Sequence, residues 1–578
     1  MKTTPIERAK SWALNPYFEQ SEREEILELI DSGNTQEITE RFHKDLEFGT
    51  GGIRSIIAFG PNRINKYTIR KATQALALEI KKLGATNPKM AISYDSRRFS
   101  LEFAKECAGV LAANGIKALI FDTLNPVPLL SFALRYYKAQ GGIMITASHN
   151  PPAYNGFKAY WDDGAQVTPP QDKNIIENYQ AIIDFSQILY MDFNEGLEKG
   201  LIEWIGQEVE DSYFATIKNY FINPKLCQER GAELKIVYTP IHGTGLKPCT
   251  RILDEMGLAN YQVVKEQANP DPNFSTVKSP NPEDPTAMAL AVDLMKRSSA
   301  DIAFGTDPDT DRLGVAILDG DKIFYPNGNQ IGLLMLHYIL NNTEMPKNPY
   351  MVKTIVTSNL LQTVAEKYGV KVFNTLTGFK WIARKMRSIE DSGKDLDFIF
   401  GTEESFGYLS HPEVRDKDGV ASLGLMAELT LWYKTQGLNL IQALDKIYDE
   451  FGFSHESLFS IDYFGKEGAE KIALIMEMFR NNAKTIFSGL ESMEDYQIGE
   501  KVDANGGKST LDLPKSNVLG LKFSGGDALF LRPSGTEPKI KFYIMIQENE
   551  GTLTEKKQRA MEKTDSMVAL IKEMVEKA

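Results

Sequence analysis

Apolar residues in the first 45 positions recur at helical spacing through ERAKSWAL, SEREEILELIDSG and TQEITERFHKDL, predicting helices across 5–45. Ser21 stands three residues before Glu24, a capping-box pattern that predicts a helix start there. A glycine-dense stretch follows, Glu47-Phe-Gly-Thr-Gly-Gly-Ile-Arg54. The pattern then alternates. MAISYD (90–95), IKALIFD (116–122) and GGIMITAS (141–148) are short apolar runs of strand type. SLEFAKECAGVLAANG (100–115) and VPLLSFALRYYKA (127–139) have helical periodicity, the first closed by Gly115. Strand and helix alternating at this pitch predict a mainly parallel sheet.

The alternation restarts twice. LKIVYTPIHG (234–243) reads as a strand, KPCTRILDEMG and TAMALAVDLMKRS as helices, and ADIAFGTD (300–307) as a strand. Further on, VKTIVTS (352–358), NLLQTVAEKYG, VKVFNT and FKWIARKMRSIED repeat the theme. The last stretch has a helix (GAEKIALIMEMFRNN), short strands (ALFLRPS, IKFYIMIQE) and a long amphipathic helix at the C-terminus. The expected fold class is α/β: three α/β mixed-sheet domains, 1–205, 206–318 and 319–452, then an α+β domain, 453–578. No short-period repeat is visible.

Length and composition agree with this division. A chain of 578 residues is long enough for several domains. With 42% hydrophobic and 25% charged residues, it is neither largely disordered nor fibrous. A formal net charge of −13 makes general binding to nucleic acid or to anionic membranes a poor reading, so an anionic ligand has to be met by a local basic pocket. The three cysteines, Cys107, Cys227 and Cys249, form no CxxC pair, which fits a reducing compartment. The N-terminus has no apolar leader and no run of 18 apolar residues occurs, so the expected home is the cytoplasm.

Four loops after predicted strands concentrate polar residues, the place where α/β sheets bind ligands. The first is Thr146-Ala-Ser-His-Asn-Pro151, with Lys158 close behind. It reads either as a Ser/Asn/Pro turn or as a rigidly held nucleophile at Ser148 flanked by His149. No G-x-S-x-G occurs, so it is not a serine-hydrolase elbow. The second is Gly305-Thr-Asp-Pro-Asp-Thr-Asp-Arg312. In an extended loop Asp307, Asp309 and Asp311 would point to one side, where like charges need a cation, and oxygen-only ligation favours Mg²⁺. The alternative is a solvated acidic turn. An EF-hand is excluded because Arg312 takes the glycine position and Leu318 the twelfth. The third is Gly401-Thr-Glu-Glu-Ser-Phe-Gly407, where Glu403 and Ser405 suit vicinal hydroxyls or a capping turn. The fourth is Arg532-Pro-Ser-Gly-Thr-Glu-Pro-Lys539, an oxyanion cradle or a surface turn.

Other motifs fail. Gly507-Lys508-Ser509 lacks the leading glycine of a P-loop, with Val502 in its place. Gly243-Thr-Gly245 meets Pro248 where a dinucleotide loop needs glycine. Six His and three Cys without ligand spacing argue against structural zinc.

Taken together and in this order, the four loops resemble the α-D-phosphohexomutase superfamily over nearly the whole chain. Thr146-Ala-Ser-His-Asn-Pro resembles its phosphoserine loop and Asp307-Pro-Asp-Thr-Asp-Arg its metal loop. Glu403-Glu-Ser-Phe-Gly resembles its sugar loop and Arg532-Pro-Ser-Gly-Thr-Glu-Pro its phosphate loop. Phe48-Gly-Thr-Gly-Gly-Ile-Arg54 is similar to the family's N-terminal motif. Thr375-Leu-Thr-Gly-Phe-Lys-Trp-Ile, Pro270-Asp-Pro-Asn-Phe-Ser-Thr-Val and Lys417-Asp-Gly resemble the longer branch of glucose- and pentose-phosphate mutases. Phe406-Gly407-Tyr408 departs from the Gly-His of the shorter bacterial mannose and glucosamine mutases, which counts against those substrates.

The resemblance implies four domains around a central cleft, and an isomerase that interconverts α-D-glucose 1-phosphate and glucose 6-phosphate in carbohydrate metabolism. It implies a phosphoserine at Ser148, a glucose 1,6-bisphosphate intermediate that also acts as activator, and Mg²⁺ on Asp307, Asp309, Asp311 and Ser148. Lys158 is the first candidate acid/base, with His149 and Arg54 lining the phosphoryl path. Arg312, Thr377, Gly378, Lys380, Glu403, Ser405, Lys417, Arg532, Ser534, Gly535, Thr536 and Lys539 are the implied substrate contacts. Small sugar phosphates are the implied partners; the oligomeric state is open. Rival readings are the same chemistry on pentose or mannose phosphates, a Mg²⁺-dependent phosphatase, and a non-catalytic sugar-phosphate binding protein.

Overall fold

The computed structural model describes residues 4–49, 52–463, 465–534 and 539–577. They form two compact units. One runs to residue 325 and includes Gly407–Glu428; the other takes Pro326–Phe406 and the chain from Leu429 onward.

The first unit opens with helices Pro5–Leu14, Gln20–Asp31 and Thr35–Phe42. The first is held by a capping box between Thr4 and Glu7. The capping box expected at Ser21 does not form. Glu19 is the N-cap, its backbone N–H donating to the Tyr67 hydroxyl, so Ser21 lies inside the helix and Glu24 accepts from Gln20 instead. The three helices close over an aromatic cluster of Trp12, Phe18, Phe42, Phe59 and Tyr67.

The first sheet contains β1 (Gly52–Ile56), β2 (Lys89–Tyr94), β3 (Lys117–Phe121), β4 (Gly141–Ile145), β5 (Tyr154–Trp161) and β6 (Ile202–Ile205), in the order β1-β5-β4-β2-β3-β6. β4, β2, β3 and β6 run parallel, as the alternation predicts. β5 and β1 are antiparallel. β5 reverses direction because it returns from β4 through a short loop rather than a helical crossover. That loop carries Ser148.

The second sheet holds β7 (Ile236–Thr239), β8 (Tyr261–Val263), β9 (Ile302–Thr306), β10 (Leu313–Asp319) and β11 (Lys322–Phe324), in the order β11-β10-β9-β7-β8. β9 and β10 pair antiparallel from Thr306↔Leu313. Residues 307–312 are therefore the connection of a hairpin, and the acidic loop is pinned at both ends by one ladder.

The second unit has three parallel strands, β12 (Pro349–Thr354), β13 (Lys371–Thr375) and β14 (Asp397–Glu403), in the order β13-β12-β14. β12 starts and ends earlier than the apolar run VKTIVTS suggests. Ser358 is consumed as the N-cap of helix Asn359–Lys367, accepting from the Leu360 N–H. The C-terminal part is a seven-stranded antiparallel sheet, from Phe453–Asp462 at one edge to Lys508–Thr510 at the other. Helices Gly465–Ile486 and Leu553–Lys577 belong to it.

One buried ion pair shapes the Ser148 loop. Asp95, at the end of β2, accepts the hydroxyls of Thr146 (2.7 Å) and Ser100 (2.8 Å). Its partner Arg97 stands 3.3 Å away with no side-chain exposure. The Arg97 guanidinium donates to the carbonyls of Ser148, Asn150, Pro151 and Tyr154, and its face lies 4.9 Å from the Phe274 ring. A single planar fork thus gathers four carbonyls of the loop. Arg97→Ala leaves Asp95 buried without its counter-ion, so a loss on the order of 3–5 kcal/mol is expected from the first unit. Denaturant unfolding of that variant, with a shift no larger than a surface substitution gives, would refute this reading.

Candidate active site

Ser148 sits at a position of backbone strain. Its φ is +50°, in the left-handed region, within a loop held by Arg97 and by its own N–H, which donates to Thr146 Oγ1 (2.8 Å). The side chain is 1% exposed. Its hydroxyl donates to Asp307 Oδ2 (2.9 Å) and lies 3.3 Å from His149 Nδ1. The expected nucleophile and the acidic loop therefore meet in direct contact.

Asp307, Asp309 and Asp311 are all buried, with one carboxylate oxygen of each within 4.8 Å of the others. They do not converge by strand-like alternation, as the extended-loop reading expects. The loop is a turn, closed by the Thr310 N–H donating to the Asp307 carbonyl (2.9 Å), with Thr310 at φ +49°. The turn is braced from two sides. Thr244 donates its N–H to the Pro308 carbonyl (2.9 Å), an approach open because Gly243 has no Cβ: one there would stand 2.5 Å from Pro308 Cα. From the other side, the Gly419 N–H donates to the Thr310 carbonyl (3.2 Å), and a Cβ on Gly419 would stand 2.5 Å from that oxygen. The Gly243-Thr-Gly245 segment, rejected as a nucleotide loop, is thus structural support for the acidic turn.

Cations surround the carboxylates. Lys158 Nζ, projecting from β5, lies 2.7 Å from Asp309 Oδ2 and 3.2 Å from Asp311 Oδ2. Lys417 Nζ lies 3.2 Å from Asp311 Oδ2. Arg312 pairs with Glu283, while its backbone N–H donates to Asp307 Oδ1 (3.0 Å). Burial, reinforced by Asp309 and Asp311, holds the Asp307 carboxyl well above the ordinary carboxylate range. Burial also pushes Asp311 up, but Lys417, Lys158 and Arg312 outweigh it and hold this carboxyl low. Lys158 is drawn down by burial and raised more by Asp309 and Asp311, so it stays protonated. His149 is lowered well below its usual value by burial, then by Arg312 and Arg54, and is neutral at neutral pH. Arg54 Nη1 reaches Asn150 Oδ1 (3.4 Å) in the serine loop.

This donor set fits a hard divalent cation. It offers carboxylate oxygens only, and Asp309 Oδ1 and Asp311 Oδ1 are buried without a hydrogen-bond partner among the described residues. Asp307, Asp309 and Asp311 are the residues that can hold such an ion.

The first unit therefore brings together Arg54, Ser148, His149, Lys158, the three Asp residues, Arg312 and Lys417. Sequence reading missed Asp95 and Arg97. Both lie in SYDSRR, at the end of a strand already assigned, and a charged pair at a strand's carboxyl end was the available signal. It also missed the bracing role of the Pro270–Val277 motif, whose Phe274 lies under Arg97 and whose neighbour Ser279 donates to the His149 carbonyl (2.5 Å).

The other expected residues belong to the second unit. Glu403 ends β14 and is buried; Ser405 is half-buried in the turn beyond, next to Phe406 at φ +60°. Thr377 and Gly378 lie between β13 and helix Phe379–Asp391, with Gly378 at φ +110° as its N-cap and Lys380 5.3 Å over the Trp381 ring. Arg532 opposes Lys541 at the end of strand Ala528–Pro533, and the Ser534 N–H donates to the Lys539 carbonyl (2.8 Å). Gly535 and Thr536 lie outside the described residues. Among the described residues, no helix is long and apolar enough to cross a membrane.

Three family models match in sequence: Phosphoglucomutase/phosphomannomutase alpha/beta/alpha domain I over 45–185, domain II over 211–320 and domain III over 327–451. The chain is 37% identical over 525 residues to a phosphoglucomutase of Staphylococcus epidermidis (strain ATCC 12228), covering 90% of this chain and 94% of that one. It is 39% identical over 513 residues to a phosphoglucomutase of Staphylococcus aureus (strain MRSA252), covering 88% and 91%. In fold it resembles a putative phosphomannomutase from Thermus thermophilus (TM-score 0.64, 22% identity, 90% and 99% covered). It also resembles the phosphoglucomutase parafusin from Paramecium in its open form (TM-score 0.68, 18% identity, 92% and 96% covered). With a buried serine hydroxyl on a three-carboxylate cluster and relatives of this identity across nine-tenths of its length, the chain belongs to the phosphoglucomutase/phosphomannomutase family of the α-D-phosphohexomutase superfamily.

Proposed function

We propose that this enzyme interconverts α-D-glucose 1-phosphate and glucose 6-phosphate, carrying the phosphoryl group on Ser148 and passing through a bound glucose 1,6-bisphosphate. The observation that carries the proposal is the contact between the Ser148 hydroxyl and Asp307, with Asp309 and Asp311 directly behind. Glucose is favoured over pentose or mannose because the two staphylococcal relatives, 37% and 39% identical, are phosphoglucomutases.

Asp307, Asp309 and Asp311 would hold Mg²⁺ next to Ser148. Bound there, it would offset the charge of a phosphoserine and polarise a phosphoryl oxygen. The chain's own residues supply the rest. The strained, Arg97-held loop presents Ser148 Oγ in one orientation, so little reorganisation is needed at the moment of transfer. Protonated Lys158 is the acid that returns a proton to Ser148 Oγ when the phosphoryl group leaves. Its conjugate base takes the proton of the attacking sugar hydroxyl. Neutral His149 accepts or donates at Ser148 Oγ, and Arg54 and Arg312 add positive charge along the phosphoryl path. Glu403 and Ser405 grip sugar hydroxyls, with Thr377, Gly378, Lys380 and Lys417 assisting. Arg532, Ser534, Gly535, Thr536 and Lys539 hold the phosphate that is not moving. The division of labour assigns the serine loop to 1–205, the metal loop to 206–318, the sugar loop to 319–452 and the phosphate loop to 453–578. The cytoplasm is the proposed location.

In a coupled assay with Mg²⁺ and a trace of glucose 1,6-bisphosphate, the wild type should turn over glucose 1-phosphate faster than ribose 1-phosphate or mannose 1-phosphate. Ser148→Ala should lose on the order of 10³-fold or more, and Lys158→Ala ~10²–10⁴-fold. Equal turnover by Ser148→Ala would sink the phosphoserine mechanism; preference for ribose 1-phosphate would move the substrate and leave the mechanism standing.

Mg²⁺ binding should also depend on pH. A bound ion must displace the proton that Asp307's raised pKa favours, so affinity should increase as pH rises, with proton release. Calorimetry in buffers of different ionisation enthalpy reads this directly. A flat affinity with no proton released would contradict the assignment of Asp307.

A further inference from the structure

The second unit contains a cavity of about 730 Å³ lined by none of the described residues assigned above to catalysis or substrate contact. One wall is β13 with the residues just past it, including Phe373, Asn374 and Thr375. A second is helix Phe379–Asp391, through Trp381, Arg384 and Lys385. The third is the C-terminal sheet, through Tyr496 and Lys522, with the loop 511–514. Among the described residues, neither the sugar loop (Glu403, Ser405) nor the phosphate loop (Arg532, Ser534, Lys539) lines it.

Its electrostatics are unbalanced. Lys385 Nζ lies 4.4 Å over the Phe373 ring and Lys522 Nζ 4.3 Å over the Phe530 ring. Among the described residues, neither ammonium is ion-paired with a carboxylate, so each rests on an aromatic face instead. Two acidic residues line the wall, Asp512 and Glu494, and Glu494 is already engaged by Lys501 (3.6 Å) and by the Tyr496 hydroxyl (2.9 Å). Behind the wall, the wholly buried Lys353 donates to the Thr357 carbonyl (2.9 Å) and to Asn359 Oδ1 (3.4 Å), and Asn359 itself lines the cavity. Burial, then the nearby Lys522, pushes Lys353 down to about 7, and burial lowers Lys522 as well. Lys385 and Lys522 thus line, without an ion-paired carboxylate among the described residues, a space of small-ligand size.

We propose that this cavity is a binding site for a phosphate monoester, distinct from the sugar-phosphate site. Lys385 and Lys522 would meet the phosphate as point charges. Asn359, Asn374 and Thr375 would take hydroxyl or amide groups of the body, and Trp381 would cover its apolar face. A dianion suits the site better than a monocarboxylate because two ammonium groups line it together with neutral donors. Leu376, in the wall, directly precedes Thr377 and Gly378, so an occupant would press on the segment proposed to help bind the sugar.

Such a monoester can come from nucleotides or from phosphorylated polyols, and two probes separate them: AMP and 6-phosphogluconate, titrated calorimetrically into the full chain. At least one should bind. Lys385→Glu, on a partly exposed helix position, and Lys522→Met, which keeps the apolar stem, should each weaken binding about tenfold or more, while Arg532→Ala leaves it unchanged. The probe that binds identifies the source. Binding abolished by Arg532→Ala and indifferent to Lys385→Glu would place the ligand in the sugar-phosphate site and overturn the proposal. Failure of both probes at millimolar concentration would overturn it too. Neither result bears on mutase turnover, which is measured separately.

Discussion

Three carboxylates buried within 4.8 Å of one another are the constraint around which the first unit is organised. At an effective dielectric of about 20, each pair of unit charges ~4 Å apart repels by about 4 kcal/mol. The fold answers with Lys158 from β5, Lys417 from the segment 407–428 and a raised Asp307 carboxyl, and it leaves Asp309 Oδ1 and Asp311 Oδ1 without a hydrogen-bond partner among the described residues. Such an arrangement is uneconomic for stability alone and suited to a divalent ion. Elements far apart in sequence converge on it: Gly243 from the loop after β7, Gly419 from the 407–428 segment, and Val127, whose N–H donates to the Asp309 carbonyl (3.0 Å).

A second rigid device faces it. Asp95 and Arg97 convert the loop after β4 into a fixed cradle, and the left-handed backbone at Ser148 is tolerated because four carbonyls around it are tied to one guanidinium. The Ser148 loop and the carboxylate cluster are thus each rigidly braced, and the Ser148 hydroxyl meets Asp307 at 2.9 Å. Precision of this kind is what phosphoryl transfer asks of a protein, since positioning and charge compensation do most of the catalysis.

Much of this was legible in the sequence, for identifiable reasons. Helices with strong 3.6-residue periodicity, such as Phe379–Asp391, and apolar runs such as GGIMI announced themselves because burial imposes those patterns. β5 was not legible as a strand, since YNGFKAYW mixes polar and apolar residues without a clean period and owes its place to the ladders with β1 and β4. The capping box at Ser21 failed because a distant hydroxyl, that of Tyr67, fixed the helix start. The Asp loop was found by its composition, but its geometry was misjudged: convergence comes from a turn stabilised by neighbouring glycines, and only tertiary packing reveals that. Asp95 and Arg97 were passed over because a buried ion pair leaves no local periodic trace.

The central claim is that Ser148 is a covalent phosphoryl carrier. Its most direct test is mass spectrometry of the peptide carrying Ser148, after the protein is incubated with Mg²⁺ and isotopically labelled glucose 1,6-bisphosphate and then chased with unlabelled glucose 1-phosphate. The account predicts one labelled phosphoryl group on Ser148, lost to the sugar during the chase and absent from Ser148→Ala. Label that never appears on Ser148, in a protein that still isomerises the sugar phosphate, would contradict it.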